Sequence, residues 1–275
     1  MVLDAFWLAL LVKIVATASV VVVASVVAER AGPFWGALIA CLPVAAGPAY
    51  VLLALEADAA FIRSSAVSGV AANAATGLFV LALHYLAPRR RILLALSGAV
   101  AVWLLAILAV RASGPWSAAG GLALNVVVYG AAIRLATAGG GIQKSPLPAR
   151  WFEMPLRALT VGLLVAGTVT ASHVIGPAAT GLAVAFPISM TSLAIVLHRR
   201  LGGVAVGQVM ANSLKAMPGL ALALLALAET AVPLGVATGL VLGLGASCAW
   251  SLGLMAIRHL SRHRAATGFP KATGA

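Results

Sequence analysis

In the stretch ANSLKAMPGL, at 211–220, a lysine stands inside a long run of Val, Ala, Leu, Met and Gly. Asn212 lies three residues before Lys215 and Gln208 four before that, so on a helix the three side chains share one face. An ammonium flanked by two amides is suited to binding an anionic group and orienting it. The apolar window around them covers 203–228, which leaves Lys215 about twelve residues, or roughly 18 Å, from either end. A lysine at that depth does not easily snorkel to the surface. Its charge costs about 2.5–3.5 kcal/mol at the centre of a bilayer, so it needs a partner or a wet cavity. Asp4, Glu29, Glu56, Asp58, Glu153 and Glu229 all fall at or near window ends, so no acid is placed to pair with it. Three arrangements satisfy Lys215: an amine neutralised by burial, an ammonium held by carbonyls and amides, or an ammonium whose counter-charge is a ligand. A fourth, a lysine near a helix end, follows if the window boundaries shift.

A second polar face is formed by Asn73 and Thr76, with Gly69 one turn before them. Pro43, in CLPVAAGP, and Pro187, in FPISMTS, stand near the middle of apolar runs. Proline there removes a backbone hydrogen bond and crowds the preceding turn. The result is either a kink packed against a neighbour or a break whose freed carbonyls need protein, water or a ligand. Ser189, Thr191 and Ser192, just after Pro187, favour a break that binds something. Lys13 and Arg157 each lie about eight residues inside a window, near enough to an end for snorkelling. Pointing inward, they would instead form two positive vestibules that draw anions toward Lys215. Asn125 reads as interhelical glue, worth about 1 kcal/mol. His84, His173 and His198 read as interfacial, and Cys41 and Cys248 as small buried hydrophobes. No HExxH, GxSxG, CxxC or Walker-type pattern occurs, so no metal, cofactor or catalytic residue is expected and the chain reads as a non-enzyme.

These residues need elements to position them. Of the 275 residues, 63% are apolar and only 9% charged, the composition of an all-α polytopic membrane protein. Nine apolar windows, each about 19 residues or more, cover 5–28, 33–55, 64–87, 91–110, 115–137, 155–175, 178–197, 203–228 and 232–257. The first is too long for a signal-peptide core and reads as a mature span. Basic connectors alternate. One side receives Arg30, the PRRR at 88–91, Lys144, Arg150, the HRR at 198–200, Arg258, Arg262, Arg264 and Lys271. The other receives Asp4, Glu56, Asp58, Arg63, Arg111 and Glu229. The alternation predicts a bacterial inner-membrane protein with its N-terminus outside and its C-terminus cytoplasmic. Because the net charge of +12 resides in these connectors, lipid rather than nucleic acid is the expected partner.

An offset of 144 residues sets Pro33 on Pro177, Pro43 on Pro187 and Lys13 on Arg157. Shortening the next loop by five residues brings VAANAATG, at 70–77, over VMANSLKA, at 209–216, so that Asn73 meets Asn212. A first unit of five spans reverses the second, which predicts two inverted repeats: 1–138 with five helices and 153–258 with four. The cytoplasmic linker between them is 139–152, and the tail at 259–275 is expected to be disordered.

At 21–58 the chain has an apolar helix, the turn Glu29-Arg30, a Gly-rich helix with an LP signal at Leu42-Pro43, and the acidic turn Glu56 to Asp58. In this order of features it resembles the small GlpM-like bacterial membrane proteins. The second half repeats the proline signal at Phe186-Pro187 but has His198 to Arg200 where the acidic turn should be. The resemblance covers about a quarter of the chain and implies a duplicated membrane unit without an activity. Inverted repeats with broken helices are a plan of secondary transporters, whose site lies near the midplane. The expected function is therefore alternating-access transport or export of a small organic anion or zwitterion, with Lys215 binding its anionic group. The expected partners are membrane lipid and that small-molecule substrate, with a homodimer as an option. The alternatives are a lipid-handling or membrane-assembly protein and, third, a membrane-embedded enzyme acting on lipid-linked substrates. The lack of a midplane carboxylate argues against the commonest form of proton coupling.

Overall fold

The computed structural model describes residues 7–8, 11–20, 22–23, 46–136 and 153–267. Pro43, the linker at 139–152 and the chain beyond 267 lie outside the described residues. Within them every regular element is a helix: α1 (Leu11–Val20), α2 (Ala46–Leu53), α3 (Ala59–Leu86), α4 (Ile92–Ala112), α5 (Ala118–Ala136), α6 (Glu153–Val184), α7 (Ile188–Ser213), α8 (Pro218–Thr230) and α9 (Val236–Thr267). Five of these are long and apolar enough to cross a membrane, and a sixth is added if the α7–α8 pair, bent by 41°, counts as one span. The outward faces of α4, α5 and α9 carry Leu94, Leu105, Val126, Val127 and Val241, each more than half exposed. Helices that are apolar outside as well as inside suit a multi-pass membrane protein. The last helix continues to Thr267, past the boundary at 258, because SRHRAAT contains no glycine or proline to stop it before Gly268.

α3 is the hub, packing against α4, α5, α6, α7 and α8. Asp58 starts it by accepting the Phe61 amide at 2.7 Å. Its centre is built of small residues, Gly69, Ala71, Ala72, Ala74, Ala75 and Gly77, which let other backbones come close. Gly181 of α6 lies against the Ser65 carbonyl, while Gly203 and Gly207 of α7 lie against the carbonyls of Ala87 and His84. Two apolar clusters flank a polar layer on α3. One gathers Tyr50, Leu53, Ile62, Val70, Val161, Val165 and Leu227. The other gathers Phe79, Leu83, Trp103, Tyr129, Val206, Met210 and Leu214.

Four interruptions divide the second half. Gly176 (φ 77°) and Gly202 (φ 79°) break α6 and α7 in a backbone region that glycine enters without the Cβ clash. They mark the boundaries expected before 178 and 203. Chain direction then follows from the neighbours on α3. The segment 177–201 runs parallel to it, with Gly181 at Ser65 and Gly69 and with Ala185 at Thr76. The segment 203–230 runs antiparallel, with Gly203 at Ala87, Met217 at Asn73 and Leu224 at Gly69. Each is interrupted halfway, at 185–187 and at 214–217.

Candidate functional site

The first interruption is the one expected at Pro187, which caps α7 with non-helical torsions (φ −80°, ψ 53°). The Ala185 carbonyl, freed from the helical ladder, accepts the Thr76 hydroxyl at 2.7 Å. The three hydroxyls expected to bind here are divided. Thr191 and Ser192 bond back to the carbonyls of Pro187 and Ser189, at 3.0 and 3.1 Å. The Ser189 hydroxyl is buried without a partner among the described residues. Phe186 packs edge-on against Trp103 of α4, ring centroids 5.0 Å apart, and the Trp103 indole N–H is likewise buried with no partner among the described residues.

The second interruption was not expected: hydropathy gives 203–228 as one helix. Pro218 supplies the reason, since its nitrogen cannot donate to the carbonyl four residues back. The turn before it tightens to bonds spanning three residues, Lys215 N–H to Asn212 and Ala216 N–H to Ser213. Lys215 therefore stands in a break. Its own carbonyl accepts the Trp250 indole N–H of α9 at 3.0 Å. The Met217 carbonyl faces the Asn73 amide at 3.5 Å. The Lys215 side chain is half-buried, and no ion pair among the described residues involves it.

Asn73 thus reaches one break and Thr76, one turn on, the other. Asn73 is fully buried and donates to Asn125 at 2.9 Å; Asn125 in turn donates to the carbonyls of Val70 and Gly121 at 2.7 Å each. Tyr129 adds a bond from its hydroxyl to the Asn73 carbonyl at 3.0 Å. Sequence reasoning separated Asn125 from Asn73, because nothing in a single sequence says that α3 and α5 are neighbours. The Asn212 amide bonds back to the Gln208 carbonyl at 2.8 Å. Trp103, Trp250 and Tyr129 were missed as well; an aromatic residue in an apolar run has no local mark of its polar atom.

Lys13 goes elsewhere. Its ammonium meets the Glu56 carboxylate at 2.7 Å and the Thr170 hydroxyl at 3.5 Å, and His173 lies 3.6 Å from the other Glu56 oxygen. The long stem carries the charge to the acidic turn between α2 and α3. A lysine so neutralised adds little positive field, so it is not a vestibule charge. Arg157 lies in α6, with its side chain outside the described residues.

No family model matches the chain, and no curated protein or solved structure matches it significantly. The likeness to GlpM-like proteins stays on the residues at 21–58, and any function is argued from the two breaks.

Proposed function

We propose that the protein is a secondary transporter of a small organic anion or zwitterion, working by alternating access between two inverted repeats in a nine-span inner-membrane fold. The observation that carries this reading is the meeting of two half-way helix breaks on one turn of α3, through Thr76 and Asn73. Broken backbone at membrane depth is tolerated where it lines a cavity or binds a ligand, and transporters use it to present carbonyls, helix ends and side chains to substrate. Here the second break adds a lysine with no ion pair among the described residues and the N-terminal end of α8, and both favour negative charge. Lys215 binds the anionic group, Asn212 and Gln208 flank it, and Asn73, Thr76, Pro187, Ser189, Thr191 and Ser192 shape the remaining wall. The two interrupted segments move relative to α3 to expose this region to either face, with the C-terminus on the cytoplasmic side.

Cysteine accessibility tests the reading with a defined probe. In a background with Cys41 and Cys248 replaced by Ala, Ser189→Cys and Asn212→Cys are treated with an anionic, membrane-impermeant methanethiosulfonate from each face separately. Both are expected to react from either face, far faster than lipid-facing Leu105→Cys. Adding Lys215→Met should slow the anionic reagent and spare its cationic counterpart, while thermal stability stays equal or rises because a buried charge has gone. Labelling from one face alone, or from neither, would refute alternating access.

A further inference from the structure

The orientation of the Asn73 amide is fixed by its neighbours. Asn125 gives both amide hydrogens to the carbonyls of Val70 and Gly121, so its oxygen must face Asn73. Asn73 must answer with its NH2 at 2.9 Å, and the same NH2 faces the Met217 carbonyl. Turning the Asn73 amide over would set its oxygen against those two oxygens. What remains is Asn73 Oδ1, fully buried and without a hydrogen-bond partner among the described residues. It is an acceptor on the turn where the breaks meet, two residues in the facing segment from Lys215.

A bare anion does not satisfy this group, since it would bring negative charge to an amide oxygen. Among the described residues the other unpartnered groups near the breaks are the Trp103 N–H, which only donates, and the Ser189 and Ser247 hydroxyls, which do either. With the Lys215 ammonium they provide for an anionic group, and Asn73 Oδ1 asks for an N–H or O–H on the same molecule. We infer that the ligand is an organic acid that carries a hydrogen-bond donor, such as a 2-amino or 2-hydroxy carboxylate, and not an inorganic anion or an unsubstituted carboxylate. The inference rests on the proposed anion site and narrows it.

Matched probes test it on the full chain in nanodiscs: alanine and lactate against propionate, malate against succinate, and inorganic phosphate. The donor-bearing member of a binding pair should bind about tenfold to a hundredfold more tightly, the range expected when its partner leaves a buried acceptor unsatisfied. Asn73→Ala should bring the ratio close to one, with Asn73→Ser taking its place if the alanine variant does not fold. Lys215→Met should weaken both members alike and keep the ratio. Equal binding of propionate or phosphate, a ratio unchanged by the Asn73 variants, or no binding by any probe overturns the inference. Discrimination without labelling from both faces would leave the ligand class standing and remove transport.

Discussion

α3 and the segment 203–230 invite comparison, because they pack antiparallel side by side and also align in sequence, Asn73 with Asn212 and Thr76 with Lys215. α3 is unbroken over 28 residues. Its partner bends by 41° at 214–217. In that alignment Pro218 falls where α3 has Phe79, and this difference decides which helix keeps its ladder. The unbroken helix spends its polar side chains on others: Thr76 and Asn73 satisfy the carbonyls that the two breaks set free. The broken one has its own carbonyl at Lys215 satisfied from outside, by Trp250. The alternating access proposed above calls for such a pair, a rigid post and a jointed arm.

Breaking the post has the largest effect. Phe79 is fully buried in the middle of α3, so Phe79→Pro removes a core ring and a helical hydrogen bond together. The cost, upward of about 5 kcal/mol, exceeds the margin of an ordinary fold. No monodisperse protein should be recovered on size-exclusion chromatography.

Next comes the seam between post and arm. A side chain at Gly203 would run into the Ala87 carbonyl. Gly203→Val should cost about 3 kcal/mol through forced separation of the two backbones, read as a fall in the thermal midpoint of the solubilised protein. Gly130→Val, with open space around it, is the control.

Making the arm resemble the post sharpens the comparison. Pro218→Ala lets the ladder heal across 214–217, and relief of the proline gives up to about 2–3 kcal/mol of stability. The same change should abolish two-sided labelling at Asn212→Cys and alter the fluorescence of Trp250 as its bond to the Lys215 carbonyl is lost. Stabilisation with unchanged labelling would show that the break at Lys215 is incidental to function.

The sequence made much of the post legible and little of the joint. α3, α4 and α5 at Ala59–Leu86, Ile92–Ala112 and Ala118–Ala136 lie within a few residues of the windows at 64–87, 91–110 and 115–137, because long apolar runs and Gly, Pro or Arg connectors are local signals. The break at Pro187 and the boundaries at Gly176 and Gly202 were local in the same way. The break at 214–217 was hidden although Pro218 is in plain view, since an average over apolar side chains does not register a missing backbone donor. The contacts among Asn73, Asn125, Thr76 and Ala185 join residues 52 and 109 positions apart, and only tertiary packing brings them together.

The smallest effect separates Lys13 from Lys215. Lys13 meets Glu56 at 2.7 Å with side chains 14% and 28% exposed, whereas no described acid pairs with Lys215. Lys13→Met should therefore destabilise the protein by about 1 kcal/mol, and a double-mutant cycle with Glu56→Gln should assign most of that to the pair, because the single variant strands a half-buried carboxylate. His173 is 60% exposed and adds little, so His173→Gln should leave the midpoint nearly unchanged. Lys215→Met has the opposite sign, neutral or stabilising, because no partner loses its charge. A cycle energy near zero at Lys13, with a comparable loss of stability at Lys215, would mean that the two lysines are alike and that neither waits for a ligand.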